Sequence, residues 1–110
     1  MADTELNVFR SSLDLVILKA LSWGPRHGYA IARWLEDTSA DELVIEEGSL
    51  YPALYRMERK GWIEAEWGES ELGRKAKLYH LTTAGRKQLR AETEEWARFA
   101  GAVSRILLPA

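Results

Sequence analysis

Leu50, Ala53, Leu54 and Met57 recur at i, i+3, i+4 and i+7, the spacing of one buried stripe on an α-helix. The stretch 48–62 therefore predicts a helix that hides one face and leaves Ser49, Tyr51, Pro52, Tyr55, Arg56 and Arg59 on the others. Ser49 is suited to cap its start, with the hydroxyl accepting from an early helical N–H. Pro52 then falls in the first turn, where a missing N–H costs no intrahelical bond. Gly61 suits the position just past the end, where the chain turns out left-handed. A helix N-terminus carrying a hydroxyl, two phenols and arginine has the chemistry to meet a phosphate backbone and base edges. Backbone amides and the helix dipole attract phosphate, hydroxyls and phenols bond to it, and arginine reads guanine. An ordinary amphipathic helix with surface aromatics is the competing reading, and this helix alone does not separate the two.

The chain after it does more. Trp62 to Trp67 alternates as a strand, with Trp62, Glu64 and Glu66 on one face and Ile63, Ala65 and Trp67 on the other. Gly68 to Gly73 reads as a polar hairpin turn, and Arg74 to Leu81 as the returning strand, with Arg74, Lys75 and Lys77 toward the tip. Thr82 or Thr83 caps a last helix running to about Leu107, longer than one core-facing helix of so small a domain requires. Along it Leu89, Trp96 and Val103 are spaced by seven, as are Phe99 and Ile106. Heptad spacing with large aromatics predicts packing against a second chain. Folding of that stripe onto the chain's own first helix is the alternative.

Upstream, residues 1–10 are weakly patterned, either a frayed helix or an arm. Ser11-Ser12 can cap a helix whose Leu13, Val16, Ile17, Ala20 and Leu21 share a face. Leu15 and Leu18 make that helix apolar nearly all round, which predicts a central place in the core. Trp23-Gly24-Pro25 ends it. A second helix runs from His27 or Gly28 to Asp37, with Ile31, Trp34 and Leu35 inward. Leu43-Val44-Ile45 forms a small strand or pins the loop. Trp23, Trp34 and Trp62 are read as packing residues. The order predicts an α+β, mainly α fold: a winged helix-turn-helix with a long C-terminal dimerisation helix, divided as 1–81 and 82–110. In that arrangement the third helix enters the major groove and the hairpin lies along the flanking backbone or minor groove.

Composition bounds the chemistry. The 110 residues include no cysteine, which removes disulfides, thiolate metal sites and cysteine nucleophiles. No apolar run approaches membrane-spanning length and the acidic start is unlike a signal peptide, so the expected place is the cytoplasm and no membrane partner is expected. Net charge is −2, but its distribution is uneven. Residues 1–48 hold four Lys/Arg against nine Asp/Glu, residues 49–90 nine against five, and residues 91–110 two against three. Three cations within four residues at a hairpin tip favour phosphate contact over a merely solvated turn. His27 and His80 lack partners at metal-ligand spacing, and no nucleophile–base order or phosphate-cradling glycine loop is present. Neither an enzyme nor a cofactor is expected.

A series of short motifs now acquires a common meaning. Leu18-Lys19-Ala20-Leu21, His27-Gly28-Tyr29-Ala30-Ile31, Gly48-Ser49-Leu50-Tyr51-Pro52-Ala53-Leu54, Glu58-Arg59-Lys60-Gly61-Trp62-Ile63, Gly73-Arg74-Lys75 and Leu78-Tyr79-His80-Leu81-Thr82-Thr83-Ala84-Gly85 follow in order with compatible spacing. Together they resemble the PadR family of bacterial transcription regulators over Leu13–Leu89. The resemblance implies a homodimeric repressor on a palindromic operator, and the short C-terminus resembles the subfamily with a single dimerisation helix. It implies DNA contacts from Ser49, Tyr51, Pro52 and Tyr55 on the third helix and from Arg74, Lys75 and Lys77 on the wing, to which Arg56 is added as a candidate. Leu89, Trp96, Phe99, Val103 and Ile106 form the expected dimer interface. Trp96 stands where some multidrug-sensing relatives stack planar ligands, so a small hydrophobic effector is a further expected partner. One departure is Leu78-Tyr79 where relatives commonly carry a Tyr-Tyr pair. The rival function is a winged-helix protein–protein adaptor without DNA binding.

Overall fold

The computed structural model describes residues 2–108, with side chains placed from Ser12 onward. Its elements run α1 (Ala2–Leu21), β1 (Arg26–His27), α2 (Gly28–Thr38), α3 (Glu47–Arg59), β2 (Ile63–Glu69), β3 (Lys75–Leu81) and α4 (Thr83–Leu107). The strands form one antiparallel sheet in the order β1-β3-β2. This is the expected winged helix-turn-helix: three helices, a β2–β3 wing and a long last helix.

The core gathers one stripe from each element. Leu13, Ile17, Leu18, Ala20 and Leu21 of α1 meet Ile31 and Leu35 of α2 and Leu50, Ala53, Leu54 and Met57 of α3, with Ile63, Tyr79 and Leu81 closing from the sheet. Full burial of an aliphatic side chain of this size contributes about 1.5–3 kcal/mol, so the four-residue stripe of α3 is what seats that helix. Trp34, Trp62 and Ile45 pack partly against the same cluster.

Four expectations require correction. Ser11-Ser12 do not cap α1, because the helix already starts at Ala2. No Gly or Pro interrupts residues 2–21, so nothing stops the helix from propagating through the serines. Ser49 does not cap α3 either. The N-cap is Glu46, without a side-chain cap bond, and the Ser49 and Leu50 amides donate to Glu46 O at 3.0 and 2.9 Å. Glu47 in the first turn suits the positive end of the dipole, and the earlier start places Pro52 inside the helix rather than in its first turn. The Gly48 carbonyl thereby loses its intrahelical donor. Trp23 is not a packing residue: it is 69% exposed, with Lys19 Nζ 5.4 Å from its ring. Of the two readings open for Leu43-Val44-Ile45, the strand does not form, and Ile45 pins the loop by packing against the core.

The exit from α3 matches its expectation. Gly61 adopts φ +76°, its amide donates to Glu58 O and the Trp62 amide to Met57 O, both at 3.0 Å. That is a Schellman ending. The hairpin closes later than expected, since β2 runs on through Gly68 to Glu69 and the turn is Ser70–Gly73. Thr82 caps α4, accepting from the Gly85 amide at 3.0 Å. Its hydroxyl also lies 2.6 Å from Gly61 O and 3.0 Å from Trp62 O, and its amide donates to Trp62 O at 3.1 Å. The start of α4 is thus joined to the residues that leave α3.

Candidate nucleic-acid interface

With 3.6 residues per turn and the 50/53/54/57 stripe buried, Gly48, Pro52, Tyr55 and Arg59 point most directly away from the core. All four are exposed. Tyr55 and Arg59, one turn apart, lie together: Arg59 donates to the Tyr55 hydroxyl at 3.2 Å, and its guanidinium carbon is 5.8 Å from the phenol ring. Ser49 and Arg56 flank this face on one side, both half-buried, while Tyr51 and Glu58 flank it on the other, toward the wing.

Tyr51 has two tasks. It keeps 43% of its surface exposed. Its ring also lies flush on the first residue of α2, where a Cβ at Gly28 would come within 2.8 Å of both Cε1 and the phenol oxygen. A side chain at 28 would push the exposed Tyr51 ring aside, so glycine here lets the phenol lie against the start of α2. Beside it, His27 stacks on Tyr29 (ring centroids 5.8 Å, planes 8° apart). His27 Nδ1 lies 2.9 Å from Lys77 O. A carbonyl can only accept, so the imidazole carries its proton on Nδ1. This bond and the β1–β3 pairing tie the start of α2 to the wing.

A cleft of about 420 Å3 separates α3 from the hairpin. Tyr29, Tyr51, Tyr55 and Trp67 form its aromatic walls, and Lys75, Lys77, His27 and Glu58 supply its polar groups. Tyr79, almost fully buried, belongs to the same lining. Burial raises its pKa above the ordinary phenol value, helped by Glu58 and Tyr51, so it stays a neutral hydroxyl.

The expected site residues separate into free and engaged groups. Arg74 and Lys75 are exposed at the wing end. Lys75 is registered opposite Glu69, and Glu71 sits in the turn, so the tip carries both signs. Lys77 is half-buried: its Nζ is 3.3 Å from Glu58 Oε1 and 5.7 Å from the Trp67 ring. Arg56 reaches inward, 3.1 Å from Asp14 Oδ1 of α1. Asp14 is 5% exposed, and its pKa is raised by desolvation, against the lowering pull of Arg56 and Lys60. By sequence alone the partners open to Arg56 are Glu58 and the acidic loop before Ser49. Asp14 lies 42 positions away, beyond any local pattern.

On α4, Trp96, Phe99 and Ile106 are 53%, 63% and 76% exposed, and the Trp96 and Phe99 rings lie 6.2 Å apart. Val103 is half-buried, and Leu89 is partly covered by its own chain's core. Sequence reasoning misses Tyr29 and His27 as cleft-lining groups. The His27-Gly28-Tyr29 run stands out as a motif, but nothing local says that it faces a hairpin fifty residues on. Trp67 is legible as a strand residue, without a role. Among the described residues no group of three or more His, Asp or Glu side chains is placed to hold a metal, and no helix is long and apolar enough to cross a membrane.

Comparison with known proteins adds to this geometry. The model of the transcriptional regulator PadR-like family matches residues 17–91. A protein of Lysinibacillus sphaericus, described as uncharacterized protein X, is 33% identical over 91 residues, covering 83% of this chain and 84% of its own. The solved structure of a transcriptional regulator from Clostridium thermocellum has a TM-score of 0.82 at 29% identity, covering 92% of this chain and 98% of that one. A PadR-like transcriptional regulator from Bacillus cereus has a TM-score of 0.75 at 32% identity, covering 89% and 93%. The family and these two solved structures are of transcriptional regulators, not enzymes.

Proposed function

Because the chain belongs to the PadR-like family of transcriptional regulators, we propose that it is a sequence-specific DNA-binding repressor acting as a homodimer on a palindromic operator. The observation that carries the reading is the outer face of α3. Pro52, Tyr55 and Arg59 point outward together, and the wing cations stand exposed, Lys75 at the edge of the cleft and Arg74 nearer the hairpin tip. In this reading residues 1–81 are the DNA-binding unit and residues 82–110, with α4, the dimerisation helix. In the major groove, Tyr51, Tyr55 and Ser49 offer hydroxyls to phosphate and Arg59 offers a fork to a base edge or phosphate. Arg74 and Lys75 neutralise phosphates flanking the groove. Arg56 serves chiefly through Asp14, as a tie between α1 and α3.

The dimer reading rests on Trp96, Phe99 and Ile106, which form an exposed apolar stripe on a 25-residue helix. Two copies related by a twofold axis set their recognition helices about 34–36 Å apart, one turn of DNA. A planar apolar effector seated against Trp96 and Phe99 would alter how the two α4 helices cross, and so the spacing and operator affinity. The place of action is the cytoplasm, where such operators lie.

Selection from a library of random duplexes at two salt concentrations tests the reading. A twofold-symmetric site, bound more weakly at high salt, is expected. Recovery of no sequence by folded protein would overturn it in favour of a protein–protein adaptor.

A further inference from the structure

Glu58 is the one carboxylate among the described residues that line the α3–wing cleft, set among four aromatic walls, a histidine and two lysines. On a surface that receives a polyanion, such a charge is unfavourable. Any phosphate at the mouth of the cleft lies within about a Debye length, roughly 8–10 Å, so screening does not remove the repulsion. The carboxylate is tolerable only where its charge is matched, and here Lys77 matches it at 3.3 Å, with both side chains about two-thirds covered (34% and 28% exposed). The Lys77 ammonium also faces the Trp67 ring at 5.7 Å. Its main chain is held as well, since Lys77 O accepts from His27 Nδ1 at 2.9 Å. One wing residue is therefore fastened to α3 by its side chain and to the start of α2 by its backbone. Arg74 and Lys75, by contrast, make no ion pair among the described residues and stand in solvent.

We propose that Glu58 is a specificity-setting positioning residue: it withholds Lys77 from the phosphates and uses that cation to fix the angle of the wing against the recognition helix. The proposal rests on the DNA-binding reading above and divides the wing cations by role. Arg74 and Lys75 neutralise phosphate. Lys77 orients the hairpin that carries them.

The test measures the slope of log Kobs against log salt, on the selected operator and on a random duplex of equal length. Wild type is compared with Glu58→Gln, Lys77→Gln, the two together, and the charge swap Glu58→Lys with Lys77→Glu. Glu58→Gln releases Lys77, so the slope on random duplex should steepen by about 0.9 per wing. Glu58→Gln with Lys77→Gln should leave that slope unchanged, because the pair as a whole carries no net charge, while Lys77→Gln alone, which leaves Glu58 unmatched, should not steepen it. Both single variants should reduce the ratio of operator to random affinity by roughly tenfold, the loss that one misplaced base-pair contact brings. The swap rebuilds the tie with reversed signs and should restore both ratio and slope. A purely structural role for the pair would not steepen the slope. Glu58→Gln with Lys77→Gln flattening the slope by about 0.9 per wing, or Glu58→Gln alone leaving slope and ratio unchanged, would overturn the proposal while leaving DNA binding intact. Wild-type protein showing no salt-dependent binding to either duplex would instead overturn the DNA reading, and this proposal with it.

Discussion

Gly85→Ala should destabilise the protein, although Gly85 lies in the first turns of α4 where Ala is ordinarily the better helix former. Replacing Gly by Ala within a helix typically adds about 0.5–1 kcal/mol of stability. Here a Cβ would fall well inside contact distance of the Trp62 carbonyl oxygen, 2.9 Å from the Trp62 carbonyl carbon and 3.1 Å from Leu81 Cδ2. The first two obstacles are backbone and cannot rotate aside. Relief requires α4 to lift from the α3–β2 junction, and that junction is where the Thr82 amide donates to Trp62 O and the Thr82 hydroxyl to Gly61 O. Losing one or two such bonds costs about 1 kcal/mol each, and forcing an extra methyl into a packed site adds about 1–3 kcal/mol. Set against the propensity gain, the net loss should be about 1–4.5 kcal/mol. Urea denaturation followed by circular dichroism measures it directly. A variant as stable as wild type, or more stable, would refute the claim that α4 is seated on Trp62 through this glycine.

Arg74→Ala with Lys75→Ala should weaken binding about equally across DNA sequences and flatten the salt slope by about 0.9 for each phosphate no longer neutralised, as read by fluorescence anisotropy; a weakening confined to the operator would contradict the wing assignment. Trp96→Ala should lower dimer affinity in sedimentation experiments while costing the dilute single chain less than the roughly 3–5 kcal/mol of a buried aromatic, because the side chain is 53% exposed within its own chain. Gly101→Ala should stabilise that single chain by up to about 1 kcal/mol, since the added methyl meets only Arg105 Nη1 at 3.7 Å; weakened self-association by the same variant would place position 101 at the contact between copies. Arg56→Met should destabilise more at about pH 7 than at about pH 4. Asp14 already has a raised pKa, so its folded form holds a proton more tightly than the unfolded chain. The associated stability is complete below the unfolded value, about 3.9, and lost as pH rises through the folded one. Removing Arg56 deepens this by stranding the buried carboxylate, whereas Asp14→Leu with Arg56→Met should restore wild-type stability or exceed it. Equal unfolding midpoints for Arg56→Met at the two pH values, each relative to wild type, would contradict the account.

What was legible in the sequence is what depends on period and on turn chemistry. The 50/53/54/57 stripe is buried as spaced, Gly61 takes the left-handed φ that a Schellman ending requires, and Thr82 caps α4. The cap assignments at Ser11-Ser12 and Ser49 do not hold: nothing breaks the helix ahead of the first two serines, which lie well inside α1, and at α3 an acidic Glu46-Glu47 start takes the N-terminus instead of Ser49. Trp23 misled for a different reason: a large aromatic beside a helix end packs only if another element covers it, and none of the described elements buries it. Lys77 reads as a free cation and Arg56 as one open to Glu58 or the acidic loop before Ser49, whereas the acid that holds Arg56 is Asp14, 42 positions away, and Lys77 is held by Glu58 from 19 positions away. Charge counts find basic segments. They do not find which cations the fold has already engaged.

The joint between α3 and α4 gives the proposed dimer its mechanical consequence. In α4, Trp96 lies 13 residues past Thr83, so at 1.5 Å per residue the arm from the expected dimer contact to the joint is about 20 Å. A tilt of about 6° at the contact moves each joint by about 2 Å, and two joints moving oppositely change the separation of the recognition helices by about 4 Å. Hydrogen bonds to base edges weaken well before such a displacement, while phosphate attraction decays only over the Debye length. Loosening the joint should therefore erode operator specificity before it erodes general DNA affinity. Gly85→Ala, measured on operator and random duplexes, separates the two: a rigid coupling predicts a falling ratio of operator to random affinity, and an equal loss on both would mean that α4 moves without taking α3 with it.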